Sequence, residues 1–225
     1  MAPLPVGFQL QGYKLVCSDN ELLTGYANSL FYMVAGTAIN IFMTIIAAYP
    51  LSCREFGMRK LFTLMITLTM WFNGGIIPYY LLMKSLNLLN TVWSVLVSGA
   101  ISAWNMIIMR NYFMTSVLEG IREAAKIDGA SRWQTLWKVT IPNVMPSITI
   151  CTFLSLTNGF KLFDQNLALT GGQPYIIQSD GSAIKTTEML ALNIYNTFYG
   201  QNVNSRGTAQ AKAVLFFLLV AAIGL

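Results

Sequence analysis

Seven charged residues crowd into twenty positions of an otherwise apolar chain: Glu119, Arg122, Glu123, Lys126, Asp128, Arg132 and Lys138. There is no histidine. Imidazole ligation of metals and Ser-His or Cys-His nucleophile activation are therefore excluded within the chain. Cys17, Cys53 and Cys151 lie far apart and make no metal or redox spacing. No phosphate loop of the form GxxxxGK[ST] occurs, so the chain is not expected to bind ATP itself. What remains is a charged surface suited to a protein partner, and a set of polar residues inside apolar runs. That set is Asn40, Asn73, Asn105, Asn158, Lys161 and Asp164. Polar groups in a membrane span are costly and often functional. The asparagines can line a solute path or bond helix to helix. Lys161 and Asp164 can pair at i, i+3, or Lys161 can reach for the interface. Trp71, Tyr79, Tyr80, Trp93 and Trp104 can stack on sugar rings or form an interfacial belt.

The elements that must position these residues follow from composition. Hydrophobic residues make up 55% and charged residues 10% of 225 positions, against roughly 25% charged in soluble domains. The net charge of +5 does not point to nucleic acid, because the basic residues fall in short segments between apolar runs. We expect a single all-α, polytopic membrane domain over 1–225, with its core at 24–225. Tyr26–Tyr49 is a first span, closed by Pro50, since ~20 apolar residues cross the hydrocarbon layer. Leu61–Phe72 begins a second, interrupted by Asn73-Gly74-Gly75, with Pro78–Leu86 as a separate short helix. Leu88–Met109 is the third, Val144–Phe163 the fourth and Ala209–Leu225 the fifth. The stretch 167–210 is polar and turn-rich, with helical spacing over Thr187–Tyr199. The start shows no basic segment followed by an apolar one, so no signal peptide is expected.

Basic residues set the orientation. The 53–60 and 110–142 loops share Arg54, Arg59, Lys60, Arg110, Arg122, Lys126, Arg132 and Lys138. The side dense in Lys and Arg is cytoplasmic. The N-terminus and the 167–210 loop then lie outside. An outer N-terminus without a signal peptide, and a last span that stops bluntly, lead us to expect truncation at both ends.

Within the charged stretch, Leu118–Ile127 is rich in helix formers. Gly129 stands where a helix ends and φ turns positive without a Cβ penalty. Ser131 with Gln134 three residues on is a capping-box pattern for a second helix. Leu136 and Val139 give that helix an apolar stripe, and Trp133 and Trp137 share another face. Pro142 and Pro146 lead into the next span. By these features alone the segment is either a docking surface or an ordinary interfacial amphipathic helix.

Glu123-Ala124-Ala125, Gly129 and Ile141-Pro142 resemble the EAA loop of bacterial ABC importer permeases. Ile127-Asp128-Gly129-Ala130-Ser131 is similar to the carbohydrate-uptake branch of that family. Asn28-Ser29, Ala47 to Ser52 and Gly74 to Pro78 resemble one of the two paired subunit types. Phe160 to Asp164, Leu169 to Pro174 and Thr187 to Leu192 resemble the other. The resemblance implies a MetI-like core of six spans, of which five are present here. It implies a permease without enzymatic activity or cofactor, in the bacterial inner membrane. ATP and Mg would be bound by a cytosolic ABC ATPase dimer docking on Glu123, Ala124, Ala125, Asp128, Gly129, Ala130, Ser131, Ile141 and Pro142. A second permease subunit, in a heterodimer, and an extracytoplasmic solute-binding protein at the 167–210 loop would complete it. The implied cargo is a sugar or oligosaccharide. The alternative is an ion-gradient-driven transporter, which calls for carboxylates deep in spans. Only Asp164 comes near that requirement, and it lies toward a span end.

Overall fold

A computed structural model of the chain describes residues 16, 20–72, 74–116, 119–160, 162–177, 183–200 and 205–224. Asn73, Lys161, Cys17, the turn at Ser179-Asp180-Gly181 and most of the lead-in before Leu23 lie outside the described residues.

Helices dominate. The first, α1, runs over Asn20–Ser52, six residues earlier than the apolar run suggests. Pro50 sits inside its last turn and does not end it. Proline lacks the N–H for the ladder, and the chain leaves the helix two residues later. Arg110 Nε donates to the carbonyl of Leu51 at 3.2 Å, and satisfies an end-of-helix acceptor with a cation. The second run splits as expected into α2 (Arg59–Trp71) and α3 (Ile76–Ser85), and Gly75 takes φ +76 between them.

The third run departs from expectation. Leu88–Met109 is not one continuous helix but two, α4 (Val92–Ser98) and α5 (Ala103–Thr115), bent by 49°. The break survives because its freed groups find partners. Asn40 Nδ2 donates to Gly99 O at 2.8 Å, and Asn105 N donates to Ser102 Oγ at 3.3 Å as an N-cap bond. Next come α6 (Glu119–Ile127), the short α7 (Arg132–Gln134), a π-helical turn at Thr135–Thr140, α8 (Ile141–Asn143) and α9 (Met145–Gly159). The polar 167–210 region holds α10 (Phe163–Leu169) at its entry. It then forms an antiparallel hairpin of β1 (Tyr175–Ile177) and β2 (Ala183–Lys185), with Ile176 opposite Ile184, and α11 (Leu190–Phe198). The expected helix thus starts at Leu190, after two strands that sequence spacing did not reveal. Finally, α12 (Ser205–Gly224) covers the fifth apolar run.

Among the described residues, Leu22–Ser52 by itself is long and apolar enough to cross a membrane. Counting each bent helix pair as one span raises the number of crossings to as many as four.

The chain divides into two compact units. One comprises Val34–Tyr79 and Leu96–Leu156. Its core is Ala48, Leu51, Met106, Met109, Phe113, Val144 and Cys151, drawn from α1, α5 and α9 and their junctions. Tyr49 meets Phe113 edge to face at 6.0 Å. The other comprises Met1–Met33, Tyr80–Val95 and Thr157–Leu225. Its described core joins Val16, Leu22, Leu190 and Ala211. Gly159 permits close helix contact there, because a Cβ on it would stand 3.3 Å from the Cα of Met33.

Candidate functional site

The charge-dense element is shaped by local backbone rules. Asp128 N bonds back to Ala124 O, and Ala130 N to Ala125 O at 2.9 Å, while Gly129 takes φ +74. The Ala130 bond closes a six-residue ring around a left-handed residue, the Schellman arrangement that satisfies end-of-helix carbonyls. No atom lies within 4 Å of a Cβ built on Gly129, so only its φ demands glycine. The capping box is present in both directions. Gln134 N donates to Ser131 Oγ at 3.2 Å, and Ser131 N donates to Gln134 Oε1 at 2.9 Å.

The outcome is a firm turn bearing exposed side chains. Glu123, Ala124, Asp128, Gly129, Ser131 and Pro142 are exposed, and Ala125, Ala130 and Ile141 are half-buried. The second helix roots the turn in the unit's interior through buried Thr135, Leu136 and Thr140, with Val139 half-buried. Trp133 and Trp137 stack at 6.5 Å with 16° between ring planes, and both face outward. Exposed carboxylates and small residues flank a turn of fixed shape.

The polar residues of the spans part company. Asn105 is buried, and its Nδ2 donates to Asn40 Oδ1 at 3.0 Å and to Ser155 Oγ at 2.9 Å. Ser155 Oγ in turn donates to Asn40 Oδ1 at 3.0 Å. This network ties α1, α5 and α9 together, so Asn105 acts as a bond between helices. Ser155 belongs to it and was missed, since a lone serine in an apolar run carries no distinguishing pattern. Asn158 and Asp164 are exposed. Asn73 and Lys161 lie outside the described residues.

A second network was also missed. Glu188 and Lys212 are both buried, at 4% and 2% exposure. Glu188 Oε1 accepts from Lys185 Nζ at 3.0 Å and from Asn196 Nδ2, and its Oε2 accepts from Asn193 Nδ2 at 3.1 Å. Lys212 Nζ donates to Asn193 Oδ1 at 2.9 Å and Thr197 Oγ1 at 3.2 Å. Asn166 sits beside this group, giving hydrogen bonds to Thr170 Oγ1 and Thr187 O and accepting one from Met189 N. Asn28 Nδ2 and Ser29 Oγ of α1 bond Glu188 O and Leu190 N, at 3.0 and 2.8 Å. The only sequence signal was lysine in an apolar helix, at Lys212.

Comparison with known proteins decides the family. The binding-protein-dependent transport system inner membrane component family matches residues 22–225. The chain belongs to this family. Protein LplC of Bacillus subtilis is 40% identical over 144 residues, covering 64% of this chain and 48% of that protein. The polygalacturonan/rhamnogalacturonan transport system permease protein YtcP of the same organism is 35% identical over 155 residues, 68% of this chain and 54% of YtcP. The chain therefore spans about half the length of these curated relatives. Among solved structures, a bacterial ABC transporter involved in the import of the acidic polysaccharide alginate contains a chain 30% identical to this one. The match has a TM-score of 0.82 and covers 98% of this chain and 78% of that one. The fold of that transporter chain is thus the fold seen here.

Proposed function

We propose that this chain is the membrane-spanning permease of an ATP-driven, binding-protein-dependent importer whose cargo is a sugar or oligosaccharide. One observation carries the reading. The element Glu123–Ser131 combines a left-handed Gly129 turn, a reciprocal capping box and outward carboxylates, a shape held ready for a partner before the partner arrives. Preorganised surfaces lose less on binding. The partner is a cytosolic ABC ATPase dimer, which holds ATP and Mg; this chain provides no residue for either. The basic loops place the element on the cytoplasmic side of a multi-pass protein. A second permease subunit completes the path, and a solute-binding protein meets the outer face of 167–210. Exposed Asn158 and Asp164 are the described candidates for the solute path. The carbohydrate class rests on what the relatives' names say they carry.

ATP-driven closure of the ATPase dimer moves the element, and the element tilts the helices rooted behind it at Thr135, Leu136 and Thr140. The test is Gly129→Asp in the assembled importer in vesicles. We expect the variant to insert normally and to lose solute-stimulated ATP hydrolysis. Uptake at the natural rate would sink the reading. Deleting 171–180 should weaken stimulation by the binding protein, and an unchanged response would argue against docking there.

A further inference from the structure

We propose that the stacked Trp133–Trp137 pair inserts into the headgroup region of the cytoplasmic leaflet and anchors the charge-dense element to the bilayer. The inference rests on the cytoplasmic placement proposed above, but on residues other than those assigned to the ATPase. Trp133 and Trp137 are 65% and 57% exposed, although Thr135 and Leu136 between them are buried. The rings therefore contribute little to the core. Stacked at 6.5 Å and 16°, they form one apolar plate. Indoles join a large apolar body to an N–H donor, which suits the membrane interface better than hydrocarbon or water. Charge points the same way. Residues 132–146 contain Arg132 and Lys138 and no acidic residue, and Lys138 is exposed. Basic side chains beside aromatic ones favour an anionic cytoplasmic leaflet. Geometry agrees as well. The helical segment Thr135–Asn143 meets Met145–Gly159 at 72°. If α9 runs near the bilayer normal, the segment before it lies close to the membrane plane, as interfacial helices do. Exposed Met145, at the junction, continues the apolar surface into the span.

Depth-dependent quenching tests this. The full chain with Trp71, Trp93 and Trp104 replaced by Phe keeps the pair as its reporter indoles. It is reconstituted into phosphatidylcholine/phosphatidylglycerol vesicles whose lipids carry bromine either near the headgroup or at the chain end. Headgroup-proximal bromine should remove about half the emission, and chain-end bromine clearly less. Equal emission with and without brominated lipid overturns the proposal. So does relief of quenching when the ATPase subunit is added, because a protein partner would then cover the rings. Should that triple variant not insert, W133F/W137F in the otherwise natural chain serves instead. Its headgroup-proximal quenching should fall below that of the natural chain, and unchanged quenching overturns the proposal. ATPase capture is measured on the same vesicles. Lost capture with intact quenching defeats the docking reading and leaves the anchor standing; the converse defeats the anchor alone.

Discussion

Residues 119–146 and residues 163–200 are both polar interruptions of an apolar chain, yet they treat their polar groups in opposite ways. In the first, Glu123, Asp128 and Lys138 face outward, and the shape comes from bonds between residues three to five apart. In the second, Asn166, Glu188 and Asn193 turn inward, and the partners that hold them include α1 and α12, up to 160 positions away. The first is thus built to present charge, and the second to consume it. Exposed carboxylates cost little and remain available to a partner. A buried carboxylate is tolerable only when every lone pair is engaged. The difference teaches that charge density alone does not mark a docking site; solvent access does.

Removing charge is the strongest way to break this contrast. Glu188→Ala should leave Lys185 and the side-chain amides of Asn193 and Asn196 without their acceptor. Because two asparagine amides lose a charged acceptor, while the partly exposed Lys185 can turn to water, we expect a loss of about 3 kcal/mol. It would be read as a lowered Tm of the detergent-solubilised protein. Glu188→Gln should cost less, since an amide keeps one acceptor. Glu123→Ala should leave Tm unchanged and reduce ATPase capture. If the two positions shift Tm equally, the contrast between the regions is wrong.

Next in size is Asn105→Leu, which tests the network of α1, α5 and α9 in the unit that carries the charge-dense element. It removes the amide donor that Asn40 Oδ1 and Ser155 Oγ share, leaving the bond between those two. Leaving buried polar groups unmatched costs about 1–3 kcal/mol. Thermal unfolding should show that loss, and a double change with Asn40→Leu should be less than additive because the partners share one network. Additive losses would mean that the bonds act independently.

The smallest expected effect is also the most local. Ser131→Ala removes one half of the capping box and should cost about 1 kcal/mol. Because the cap serves only the turn, hydrogen exchange should quicken at Gln134 and its neighbours and nowhere in 163–200. Faster exchange at both places would show the turn to be held from a distance.

Much of the charge-dense element was legible beforehand. Gly129 at a helix end and Ser131 with Gln134 are short-range signals, and short-range geometry is what a sequence displays. Breaks announced by glycine, as at Gly74-Gly75, were legible for the same reason. The break between α4 and α5 was not. Gly99 and Ser102 are weak breakers, and what holds the gap open is Asn40, 59 positions away from Gly99. The burial of Lys212 was illegible for a related reason. Lysine in sequence signals a water-facing end, and only packing of α12 on α11 supplies Asn193 and Thr197 as partners.

The amino-acid order by itself determined the membrane class, the helical runs, the turn at Gly129 and the family, because each depends on composition or on neighbours within a few residues. Tertiary structure alone decided which polar groups are buried, which of them are satisfied, and that Trp133 and Trp137 face outward. Those outcomes depend on which distant helix comes to lie alongside, and burial is a property of that packing.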